Sequence, residues 1–168
     1  MRTIYCLLLI MLLTNACNSY NYKGHCLLIP QHEKISLYKS PKGITKIDYI
    51  INDTINEDYP LISIAEITDS MALIYAQYPM QTRNRTTGWI NKDYLGIYLV
   101  PKDTIPIHVL PSYDSTVSSY IIDAYWGKYY YILDISNEWL KVFDPDTPKV
   151  VGWLAPEFQS SNPYTPPC

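Results

Sequence analysis

Short apolar runs, most of them alternating, are separated along this chain by clusters of Pro, Asn, Asp, Ser and Gly. Ile105-Pro106-Ile107-His108-Val109 is one such run. Its alternation puts Ile105, Ile107 and Val109 on one face and leaves His108 toward solvent on the other. Pro106, which cannot donate to a ladder, suits an edge or the start of a strand. Tyr129-Tyr130-Tyr131-Ile132-Leu133-Asp134-Ile135 reads as a long strand, Ser136-Asn137-Glu138 as a hairpin turn, and Trp139-Leu140-Lys141-Val142-Phe143 as the antiparallel return. Asp144-Pro145-Asp146-Thr147-Pro148 is a turn cluster, and Val150 to Leu154 is the next strand. Pro156-Glu157-Phe158 then fits a single helical turn opened by proline. Upstream, Leu61 to Ile67 pairs with Met71 to Tyr75, followed by a longer loop from Pro79 to Thr87. No long helix-forming stretch intervenes, so the predicted class is all-β.

The pattern occurs twice. Ile35 to Pro41 aligns with Ile105 to Pro111, Tyr49-Ile50-Ile51-Asn52 with Tyr120-Ile121-Ile122-Asp123, and Ile67 to Tyr75 with Ile135 to Phe143. Gly88-Trp89-Ile90 likewise aligns with Gly152-Trp153-Leu154. Four collinear matches predict a duplicated chain with units at 33–98 and 103–159, joined by Val100-Pro101-Lys102-Asp103-Thr104 and followed by a tail at 160–168. Each unit holds five short strands closed by one tight turn, which describes a small partly open barrel. Each alone would have a marginal core, so the two are expected to pack together.

The tryptophan-centred hairpin at Trp139, the Gly152-Trp153-Leu154 strand and the Pro156-Glu157-Phe158 turn resemble the ending of the bacterial SH3-like domain family. Gly88-Trp89-Ile90 and Asp93-Tyr94-Leu95 repeat it, with Met71 in place of the hairpin tryptophan. The family's early segment survives only as Lys39-Ser40-Pro41 and Leu110-Pro111-Ser112, without its arginine. The resemblance implies two SH3-like barrels in tandem. It further implies a module that recognises cell-wall peptide or glycan, or positions a neighbouring wall enzyme.

At the N-terminus, Arg2 precedes an apolar stretch from Thr3 to Leu13 that is too short to span a membrane but suits a signal peptide. Thr14-Asn15-Ala16-Cys17 resembles a loose lipobox of the kind found in Bacteroides-like lipoproteins. That resemblance implies a signal peptide at 1–16, lipid on Cys17 and a tether at 17–32. A conventional secretory signal cut elsewhere is the alternative. The residues after Cys17 lack the acidic run that resembles a surface-export signal, which places the expected anchor in the cell envelope facing the periplasm. In an oxidising compartment, Cys26 and Cys168 either form a disulfide closing nearly the whole fold or leave a free thiol in a frayed tail.

The formal net charge of −3 and scattered cations offer no footprint for nucleic acid. Neither a phosphate loop nor a metal-ligand motif occurs, so no cofactor is expected. Asp134, Asp144 and Asp146 converge on a cation only if an acidic turn does more than face solvent. Seventeen tyrosines against two phenylalanines direct attention to aromatic surface instead, since tyrosine joins an apolar face to a polar tip. Trp126, Tyr130 and Trp139 are the candidate ligand-binding residues, as rings of a shallow groove. The alternative is that they fill the core or the interface between units. The expected protein is non-enzymatic and binds wall peptide or glycan, or an envelope protein. Its rivals are a structural accessory subunit and a wall amidase using the adjacent His25 and Cys26.

Overall fold

The computed structural model describes residues 22–29, 34–125 and 127–164. The chain is all-β. Among the described residues thirteen strands run in order as β1 Gly24–Leu28, β2 Ile35–Tyr38, β3 Lys46–Ile50, β4 Leu61–Ile67, β5 Met71–Gln77, β6 Thr86–Asn91, β7 Leu95–Leu99, β8 Lys102–His108, β9 Val117–Ala124, β10 Tyr130–Ser136, β11 Trp139–Phe143, β12 Val151–Leu154 and β13 Gln159–Ser160. Lys92–Tyr94 and Pro156–Phe158 are single 3-10 turns. The strands form one antiparallel sheet in the order β3-β2-β6-β5-β4-β1-β7-β10-β11-β12-β8-β9, with β13 branching from β7.

Strand pairing repeats along this order. The run β3-β2-β6-β5-β4 recurs as β9-β8-β12-β11-β10. Irregularities recur with it: β4 and β10 each step out of register against their hairpin partners, at Ile64/Glu66 and Ile132/Asp134. The β2–β3 and β8–β9 pairs slip at Leu37/Tyr38 and Ile107/His108. These shifts keep Ile67 and Ile135 against the core after the strand has bent.

The duplication extends beyond the segments that sequence similarity marked. β1 pairs with β4 through Cys26↔Ile62 and with β7 through Leu28↔Leu95. β7 in turn pairs with β10 through Ile97↔Tyr130 and with β13 through Leu99↔Gln159. The Ile29 amide donates to the Tyr94 carbonyl, and the Val100 amide to the Phe158 carbonyl. β7 therefore closes the first unit and opens the second. All five of its residues are buried. The residues expected as tether instead supply a core strand in Gly24–Leu28, and Lys102, Asp103 and Thr104 begin β8 rather than a joint. Ser160 and Tyr164 of the expected tail are likewise tied down, in β13 and at Asp58.

Inward-facing residues of both units belong to one hydrophobic cluster that includes Leu37, Ile62, Ile74 and Ile90 from the first and Ile107, Ile132, Leu140 and Leu154 from the second. The Gly-Trp pairs are explained by strand contact. A Cβ at Gly152 would lie 2.6 Å from Ile107 Cγ2 and 2.7 Å from the His108 carbonyl oxygen. At Gly88 it would lie 3.1 Å from Leu37 Cβ and 3.3 Å from the Tyr38 carbonyl oxygen. Glycine lets β8 and β12, or β2 and β6, cross at this distance. Gly152→Ala is expected to destabilise the protein by about 1–3 kcal/mol, more than Gly88→Ala, as a shift in the urea midpoint.

Candidate functional site

The three predicted aromatic ligands do not form a groove. Trp126 lies outside the described residues. Tyr130 is 3% and Trp139 5% exposed. Tyr130 pairs with Ile97 at one end of β10, whereas Trp139 pairs with Ser136 at the other, roughly 20 Å away along the strand. Trp139 joins Trp153 and Ala155 in a second hydrophobic cluster on the outer side of the sheet, with Phe158 against it. His108 stands edge-on to Trp139 at 5.2 Å, and Tyr113 stands over the same indole at 4.9 Å while donating to Glu157 Oε2. His108 does face away from Ile107, but that face is covered: the imidazole Nδ1 lies 3.2 Å from the Ser115 carbonyl oxygen. It is buried, not solvent-facing.

Cys26 and His25 leave β1 on opposite faces. Cys26 is a free thiol in the main core, and burial pushes its pKa up, away from the thiolate a nucleophile needs. His25 is exposed, with Nδ1 3.0 Å from Ser63 Oγ. The two therefore do not form a nucleophile and base. Cys168, the other half of the expected disulfide, lies outside the described residues, as does Cys17. In a chain beginning at Asn18 and carrying Cys168→Ser, Cys26 is expected to resist Ellman's reagent until denaturant unfolds the sheet. Rapid labelling of native protein would contradict this burial.

The acidic turn is neutralised from within. Lys128 Nζ lies 2.9 Å from Asp144 Oδ1 and 3.1 Å from Asp146 Oδ2. Burial opposes the charge on Lys128, but these hydrogen bonds outweigh it and raise the ammonium's pKa. Asp134 instead accepts from the Ile135 amide. Asp144 and Asp146 thus share Lys128, and Asp134 is engaged apart from them.

A cavity of about 650 Å³ opens on the outer face of β1, β4 and β5. His25, Ser63 and Tyr75 cross its floor as neighbours in register, with Leu61 and Gln77 as the next pair. Pro79 and Met80 form one wall, and Ser161, Asn162 and Tyr164 another. Leu61 is 40% and Met80 65% exposed, so apolar surface stays open to water. Tyr22 packs on Tyr75 with ring centroids 5.5 Å apart.

Asp58 holds both walls. Its buried carboxylate accepts from the Met80 amide at 3.1 Å, the Thr82 amide at 3.0 Å and Thr82 Oγ1 at 2.7 Å. The Tyr164 hydroxyl donates to Asp58 Oδ1 at 3.1 Å and accepts from the Tyr59 amide at 2.9 Å. Burial alone would raise the Asp58 pKa, but these donors overcome it and hold it below the usual carboxylate value.

The second unit places Tyr129 and Tyr131 at the register positions of Leu61 and Ser63, and Phe143 at that of Tyr75. Tyr129 packs against Tyr98 there at 4.4 Å. The groove belongs to the first unit because a serine stands where the second has a ring. Sequence reasoning missed it, although Ser63 against Tyr131 was readable once the two copies were aligned through their hairpins. No protein-family model matches the chain, and no curated protein is significantly similar to it.

Proposed function

We propose that this protein is an extracytoplasmic binding module, built from two SH3-like units and tethered through lipid on Cys17, that holds an extended peptide segment of the cell wall or of an envelope protein. The observation that supports this reading is the open groove over His25, Leu61, Ser63 and Tyr75. Its exposed lining is mainly apolar, with His25 and Ser63 as polar groups in the floor and Ser161 and Asn162 in one wall, a balance suited to peptide side chains more than to a sugar's hydroxyl-rich faces. On this reading the module binds its ligand without transforming it, and Ser63 Oγ and His25 Nδ1, 3.0 Å apart on the floor, are contact groups for that ligand.

Ser63→Tyr tests the reading directly. The substitution copies the second unit's Tyr131 and should leave the fold intact while filling the groove. Retention of the full chain on isolated peptidoglycan, or on its envelope partner, should drop at least tenfold. Retention unaffected by Ser63→Tyr would remove the groove from the function.

One observation favours the structural-accessory reading. β9 is a sheet edge whose outward residues Tyr120 and Ile122, with Tyr125 just beyond, are all exposed. Such an edge accepts a further strand. Under that reading Ile122→Lys, and not Ser63→Tyr, would abolish association with the envelope partner.

A further inference from the structure

The groove ends against a second, polar cavity of about 460 Å³ that shares Gln77 and Pro79 with it and continues to Arg83, Asn84 and Arg85. Here the chain concentrates positive charge. Arg83 is half-buried and fixed: its guanidinium lies 3.9 Å over the Tyr49 ring, and Nη2 donates to the Tyr49 carbonyl at 3.3 Å. Lys34 covers Tyr49 as well, at 3.4 Å. The Asp48 carboxylate lies 4.0 Å from Arg83, at the limit of an ion pair. Arg85 is exposed and has no ion-pair partner among the described residues. Asp58, the other nearby carboxylate, is buried and already saturated by donors from Met80 and Thr82.

Resting on the peptide-groove reading, we infer that the occupant is an acidic peptide, whose apolar side chains lie over Leu61 and Tyr75 and whose adjoining carboxylate is received by Arg85 and Arg83. The arrangement carries this because an apolar surface and an unneutralised arginine share two lining residues. Guanidinium groups match carboxylates in geometry as well as charge. Arg83 contributes a pre-set direction, since Tyr49 already restricts it. Arg85 contributes the charge still free to pair. With the whole chain at −3, attraction for an acidic ligand comes from this patch and should weaken as salt rises.

The test uses short random peptides displayed on phage, selected on the full chain. Selected peptides should carry Asp or Glu beside Leu, Ile, Val or Pro. For one of them made synthetically, fluorescence anisotropy should show about a tenfold loss of affinity on Arg85→Gln, and the same loss when its carboxylate is replaced by the amide. Combining both changes should cost no more than either. Arg85 is exposed, so its replacement leaves folding untouched. An amide peptide that binds as well as the acid, or indifference to Arg85→Gln, overturns the acidic assignment while binding still lost on Ser63→Tyr preserves the groove. Failure to enrich any peptide, or enrichment indifferent to Ser63→Tyr, overturns both.

Discussion

A chain that runs from Pro101 to Tyr164 is expected to stay unfolded at 25 °C, although it contains the whole second unit as the sequence repeat defines it. β10 and β13 would each lose β7, the strand they pair with. Tyr130, Ile132 and Leu154 would lose Leu95, Ile97 and Leu99 from their shared cluster. A sheet of this size, with one edge stripped and part of its core in water, falls below what a small domain needs to fold. Starting the chain at Lys92 restores the β7 ladder and should raise the sheet signal in circular dichroism without reaching the stability of the intact chain, because β1 and the first half of the core are still missing. A Pro101–Tyr164 fragment that folds cooperatively would show that the repeat, not the shared strand, defines the folding unit.

Asp58→Ala is expected to cost about 2–4 kcal/mol, because it leaves the Met80 amide and both Thr82 donors without their buried acceptor. The effect should also reach binding, since Met80 and Tyr164 are opposite walls of the groove and both hang on this carboxylate. Asp58→Asn separates charge from shape and gives the pH dependence. The Asp58 pKa is lower in the folded chain than in the unfolded one. Its stabilising contribution is therefore complete above the unfolded value of about 3.9 and is lost as pH falls through the lower folded value. Wild type should exceed Asp58→Asn in urea midpoint at pH 7, and the gap should narrow below about pH 4. A gap that is constant or widens with acid would contradict the role given to the carboxylate.

Local chemistry was the part of this fold legible in sequence. Period-two runs, the Ser136-Asn137-Glu138 turn and the Gly-Trp pairs each act over a few residues, and they predicted all-β structure and the doubled pattern of strands. β1 escaped because Gly24-His25-Cys26-Leu27-Leu28 is short and its partners, Ile62 to Ile64 and Leu95 to Gly96, are far along the chain. The double duty of β7 is likewise a matter of pairing at a distance. Trp139 and Tyr130 are close in sequence, yet a hairpin separates such residues to its two ends. Alternation puts His108 on the face away from Ile107, but the segment holding Tyr113 and Ser115, which covers it, has no strand periodicity to announce its course. The groove depends on a small residue, and what fills or leaves a surface is decided by neighbours from three strands.

Whether both halves stand or fall together through β7 is settled most directly by native-state hydrogen exchange on the wild-type chain and on Ile74→Ala. Ile74 lies in the first half, fully buried. If one core spans the molecule, amides of Leu140 and Val142 in β11 lose the same protection factor as those of β5. Retention of wild-type protection at Leu140 and Val142, beside a collapse confined to β5, would show two independent domains and contradict the shared strand.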